Sequence, residues 1–384
     1  MWGRALSIAA VLLVAGCSSL PSLNPFDWWG NEPVKLPELP NISNAVPMRS
    51  VWQSSVGGAG ASVFFPAVVA GQVYAASQEG GITQIDAQTG RQIWRIAAGS
   101  KLSGGVGADA DLVVAGTVDG EVMAFSSKDG ALRWRTRVSS EMLAAPVVAG
   151  DMVIVRSSDS RVFALDARDG RRRWVYQRSA GSLSIRSPAG LVVQRGYAYA
   201  GFSGGKLVAI ALSNGGVRWE STVALPKGST ELERVTDVVG LPWLSEREVC
   251  AVAFQGRVAC FDINTGAALW AREMSSFSGL QADARYLFVS DDKGAVHALD
   301  RSTGTSVWKQ EALARRNLTT PLALGNDVVV SDIQGNVHLL SRDTGALTGR
   351  FATDGSGIAA APIPLVSGFL VQTRNGNLYA LALR

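Results

Sequence analysis

Catalysis needs nucleophiles, acids, bases or metal ligands at fixed spacing, and this chain is poor in them. Its 384 residues include three cysteines and two histidines. His297 and His338 each follow a valine in an apolar run, and neither has a second histidine at i+2 or i+4. That pattern suits packing better than metal binding or base chemistry. Cys250 and Cys260 flank a Gln255-Gly256 turn. In a two-residue hairpin Cys250 would face Phe261, and the two thiols would point to opposite sides of the sheet. A bulge would align them for a disulfide, while Cys260 also stands at a small-residue core position. No Gly-rich phosphate loop opens a helix, and no Ser-His-Asp set can be drawn. The residues predict a protein without catalytic site, cofactor or metal.

The third cysteine has a different setting. Arg4 gives a positive start, Ala5 to Val14 is apolar but too short to span a membrane, and Val14-Ala15-Gly16-Cys17 follows. Small residues before a cysteine resemble the lipobox of bacterial lipoproteins. The resemblance implies that residues 1–16 are a signal peptide, that Cys17 is lipidated on sulfur and acylated on its new amino group, and that the chain is stably anchored. Ser18, rather than Asp, implies sorting to the outer membrane. Residues 17–46 read as a tether, with prolines at 21, 25, 33, 37 and 40 and no periodic run. Phe26, Trp28 and Trp29 within it are expected to rest on the membrane interface or the surface of the folded body, the alternative being a contact with a partner.

Residues 47–384 are organised by a repeat. The stretch Ser160 to Trp174 recurs from Gly80, Gly120, Gly205, Gly256 and Gly294, more weakly from Gly335, and as a half-copy from Gly376. Successive starts are 40, 40, 45, 51, 38, 41 and 41 residues apart, the length of a propeller blade. Within a unit, a run such as Val162 to Asp166 has almost no polar alternation, so its strand is covered on both faces. Small residues at 124, 164, 209, 298 and 380 suit close sheet-to-sheet approach. Asp-Gly or Thr-Gly then reverses the chain, and a tryptophan follows. A ring burying ~150–250 Å² at each blade junction, from Trp52, Trp94, Trp134, Trp174, Trp219, Trp270 and Trp308, would fix the blades together. The predicted fold is all-β: an eight-bladed β-propeller of four-stranded antiparallel blades. Its first strand, around Trp52, pairs with the C-terminal strands and closes the ring.

Charge adds little. The net charge is +4 with basic residues scattered, and the densest run is Arg171-Arg172-Arg173. Nucleic-acid binding is not expected. Two adjacent repeat intervals are long and carry extra residues at 180–188 and 224–240, which read either as candidate binding loops or as tolerated drift in loop length.

The unit Ala-x-Asp-x-x-Thr-Gly-x-x-x-Trp, seen nearly whole in Asp262-Ile263-Asn264-Thr265-Gly266-Ala267-Ala268-Leu269-Trp270, resembles the repeats of pyrroloquinoline-quinone enzymes. Those repeats indicate fold more than activity. The chain as a whole resembles the BamB lipoprotein family of the outer-membrane β-barrel assembly (BAM) machinery. Leu102 to Val106, Ser182 to Arg186, Gly228 to Glu231 and Leu318 to Pro321 carry that likeness. It implies a non-enzymatic scaffold on the periplasmic face of the outer membrane, monomeric within a hetero-complex. Its expected partners are the POTRA domains of BamA, other BAM subunits and unfolded barrel clients. Carried over residue by residue, the BamA contacts would be Leu183, Ile185, Arg186 and Asp237; a further acidic position of the family is Val239 here. The alternative, a periplasmic quinoprotein dehydrogenase, is disfavoured because the chain lacks adjacent cysteines and a definable set of calcium-binding acids.

Overall fold

The computed structural model describes residues 36–179 and 183–383, so Cys17, Phe26, Trp28 and Trp29 lie outside the described residues. The described strands form eight four-stranded antiparallel sheets. Blades 1 to 7 span residues 67–97, 102–137, 147–177, 191–222, 238–273, 280–310 and 322–352. Blade 8 takes three strands from 363–383 and its outermost strand from Met48–Ser55, with Trp52 opposite Ala380. Each neighbouring pair of blades shares its own hydrophobic core, including one between blade 8 and blade 1, so the ring closes.

The middle strands are buried on both faces, as Val162 to Leu165 shows. Ala124, Ala164, Ala209 and Ala298 have no exposed surface, which permits the close packing that the small residues imply.

One expectation about turns is corrected. In blades 2 to 5 the hairpin between the second and third strands has three residues in its connection, not two. In blade 5 the strands end at Ala253 and resume at Arg257. An odd connection moves the register by one residue, so Cys250 faces Cys260 rather than Phe261, and the two are bonded. No bulge is needed in this pair of strands.

The second turn of each unit explains why aspartate, glycine and tryptophan recur together. In blade 5, Asp262 Oδ1 accepts hydrogen bonds from the backbone N–H groups of Asn264 (3.0 Å) and Thr265 (2.9 Å) and from the Thr265 hydroxyl. This capping holds the turn in shape. Gly266 follows at φ +72°, and a Cβ there would lie 2.7 Å from the Trp219 ring of blade 4. Trp219 Nε1 donates to the Ile263 carbonyl at 3.0 Å. The tryptophan of one blade therefore lies over the bare turn glycine of the next and bonds to its backbone. Trp52, Trp94, Trp134, Trp174, Trp270 and Trp308 repeat this latch, donating to Ala87, Ser127, Ala167, Leu212, Arg301 and Arg342.

Blade 7 is the exception. Gly349 stands opposite Leu339, at the position where the other blades place tryptophan. The segment before the first strand fills the gap. The Val46 N–H donates to the Thr348 carbonyl at 2.7 Å, and a Cβ on Gly349 would come 2.9 Å from the Val46 carbonyl. Leu39 packs into the core between blades 6 and 7. Arg316 donates to the Pro37 carbonyl (2.6 Å) and Arg350 to that of Pro40 (2.9 Å). The compact body thus begins at Pro37, earlier than position 47, and residues 37–46 form a strap on it. Beneath the strap, buried Arg316 and His338 both reach Asp332 Oδ2, at 3.1 Å each.

Candidate functional site: a loop cleft over blades 3 to 5

In antiparallel blades, the turns between second and third strands share one face with the connections between blades. The two longest of those connections lie side by side on that face, the one after blade 3, described at 178–179 and 183–190, and 223–237 after blade 4. They come together through Asp237. Its Oδ2 accepts the Ile185 backbone N–H at 2.7 Å, and the residue is only 5% exposed. Arg156, from the second strand of blade 3, braces the same loop by donating to the Ala189 carbonyl at 2.9 Å. Its guanidinium also lies 4.9 Å from the centre of the Phe202 ring. Burial pushes Arg156 down to about 10, although Asp237 partly counters it. Burial also raises Asp237 above its ordinary value, opposed by the Ile185 N–H and by Arg156. Arg186 projects outward and pairs with Glu141 of the preceding connection at 2.6 Å. Glu141, Arg156, Ser184, Arg186, Ser203 and Asp237 line a cleft of about 240 Å³.

The structure gathers the four residues singled out from sequence but gives them different roles. Leu183 is 46% exposed and free to meet a partner. Arg186 is exposed but already charge-paired. Ile185 is half-buried against the core shared by blades 5 and 6, so it is less open than an exposed anchor would be. Asp237 is buried and holds the loop from below. Val239, the departure from the family pattern, is a core residue of blade 5. Arg156 and Glu141 were not anticipated; the signal for Arg156 was a lone charge ending the apolar run Met152 to Val155.

The cleft offers hydrogen-bond donors and acceptors but no paired nucleophile and base. The two histidines lie elsewhere, each next to the aspartate of its own blade's turn: His297 to Asp291 at 2.9 Å and His338 to Asp332 at 3.1 Å. Among the described residues, one group has metal-ligand proximity, Glu248 with Cys250 and Cys260, and its two sulfurs are bonded to each other.

A family model described as "Outer membrane protein assembly factor BamB" matches residues 48–103 and 78–310. The outer membrane protein assembly factor BamB of Bordetella pertussis is 40% identical over 378 residues, covering 98% of this chain and 96% of that one. The chain belongs to the BamB family. The crystal structure of BamB from Moraxella catarrhalis superposes with a TM-score of 0.81 at 27% identity, covering 88% of this chain and all of that one. A quinohemoprotein alcohol dehydrogenase from Pseudomonas putida superposes at 0.69 with 14% identity over 88% of this chain and 76% of its own, which shows a common fold alone. Membership of the BamB family separates this propeller from the dehydrogenases: it is a non-enzymatic factor of the outer-membrane protein assembly machinery.

Proposed function

We propose that the chain is held to the periplasmic face of the outer membrane by lipid on Cys17 and docks the POTRA region of BamA with the loop Leu183–Arg186. The observation that carries this reading is the pre-formed loop. It is bonded from beneath by Asp237 and Arg156, and it leaves Leu183 and Arg186 outward on the face with the longest connections. Arginine is enriched among the residues that carry binding energy at interfaces, and a loop already ordered loses less entropy on binding. Asp237 and Ile185 then act by positioning, while Leu183 and Arg186 touch the partner. Docking of BamA by this scaffold would support the assembly of barrel clients by the other BAM subunits.

Co-purification with BamA from detergent-solubilised envelope tests the docking. Arg186→Ala should reduce the BamA recovered at least several-fold with the melting temperature unchanged, because the side chain is exposed. Undiminished recovery would remove Arg186 from the interface. For the anchor, Cys17→Ser should move the chain from the membrane to the soluble fraction.

A further inference from the structure

The run Arg171-Arg172-Arg173 does not act as one patch. Arg171 pairs with Asp169 at 2.7 Å, and Arg173 reaches Asp151 at 2.7 Å and Asp166 at 2.8 Å. A bulge separates them from Arg172: Ala164 faces Trp174, but Leu165 faces Arg172, so Arg173 drops out of the ladder. Arg172 therefore shares a side of the sheet with Val175 and Gln177, opposite Leu165, Phe163 and Arg161.

That side looks onto a groove of about 420 Å³ reaching blade 2, lined by Arg137, Arg161, Arg172 and Gln177 over Phe163 and Val175. Arg161 shares its charge with Asp159 at 3.1 Å. Arg137 and Arg172 are exposed and, among the described residues, form no ion pair; Glu121 stands opposite Arg137 in the ladder without bonding to it. The outer strands of blades 1, 2 and 3 read QIWRIA, LRWRTR and RRWVYQ, with six arginines and no acidic residue, whereas those of blades 4 and 5 carry Glu220 and Glu273 and those of blades 6 to 8, also without acids, carry two arginines. Guanidinium forks left without carboxylates are made to receive them.

The groove continues from the candidate docking face. Its Arg137 and Ser139 lead into the connection that carries Glu141, the partner of Arg186. It also lies four blades from the strap formed by residues 37–46. We propose that this groove is a second subsite of the docking face, taking a carboxylate-rich segment of the same partner that meets Leu183 and Arg186. The proposal rests on the docking reading above. Its contribution is to steer encounter, since charges at the rim of an interface act mainly on association rate and salt dependence.

The test measures association of the full-length chain in detergent with the POTRA region of BamA. At low salt, Arg137→Gln with Arg172→Gln should slow association about ten-fold, with dissociation and melting temperature unchanged. The difference should vanish near 1 M salt, where the screening length falls to about 3 Å. Arg186→Ala separates the two readings. If it weakens binding while the double variant associates at the normal rate, the groove is not a subsite. If neither has an effect, the docking face fails with it. Phosphatidylglycerol vesicles provide the remaining arm, using the full-length Cys17→Ser chain. Arginine-dependent vesicle binding with unaltered BamA association would assign the groove to lipid headgroups and overturn the proposal.

Discussion

The tryptophan latch makes quantitative demands on single residues. Trp174 is buried and donates to the Leu212 carbonyl at 2.7 Å, with its ring over Gly215. Trp174→Ala should cost about 3–5 kcal/mol in denaturant unfolding. Trp174→Phe keeps most of the packing and should cost about 1–3 kcal/mol, the consequence of an orphaned carbonyl. Gly215→Ala should also destabilise, because φ is +74° and the new methyl would sit 2.8 Å from the Trp174 ring. Asp237 carries a pH signature. Its carboxyl is raised above 3.8 in the fold, so ionising it opposes folding. The opposition is absent below about 3.8 and grows as pH rises through the folded value. Asp237→Asn should therefore gain stability relative to the parent at pH 7 and lose that gain near pH 3.5, measured as paired melting temperatures. The tryptophans were legible because they recur. Their partners were not, since each bond spans 31 to 44 residues to a backbone carbonyl that leaves no mark in the sequence. Nor does an aspartate letter say whether it faces a partner or, like Asp237, the underside of a loop.

At the scale of elements, the hairpin register decides the disulfide. The Cys250–Cys260 bond closes a short loop in a fully buried pair, so replacing both residues with alanine should lose roughly 2–3 kcal/mol by the chain-entropy argument. Reductant should leave the folded protein intact until it unfolds. Strand order and blade number could be read because the repeat encodes them. The register could not, because Gln255-Gly256 looks like a two-residue turn and the third residue, Phe254, belongs by composition to the strand. The strap was missed for a related reason: Pro37 and Pro40 sit in a proline-rich stretch without period, and their partners, Arg316 and Arg350, lie far away in sequence. Its support is pH-sensitive. Burial holds the His338 imidazole below 6.5, against the pull of Asp332. The unfolded chain protonates first, so stability drops as pH falls below about 6.5. His338→Gln should flatten the loss between pH 7 and 5 in equilibrium unfolding.

The propeller is a ring with one seam, since blade 8 takes one strand from the segment before blade 1 and three from the C-terminal stretch. Repeat architectures propagate stability between neighbours, so opening the seam should affect more than one blade. Deleting residues 36–47 should remove the strap and lower the melting temperature by several degrees while leaving one transition. Deleting through Ser55 also removes Trp52 and the outer strand of blade 8, and should replace that transition with a broad one and expose the turn at Gly90 to proteolysis. The two deletions compared by calorimetry separate strap from seam. Their order along the chain has a mechanical meaning. The guanidinium clamps at Pro37 and Pro40 come before the strand that seals the ring, so tension arriving from the leading end loads them first. Moored through Cys17 as proposed, the body would have a strain relief built ahead of its weakest joint: a tug has to strip the clamps before it can begin to unzip the propeller.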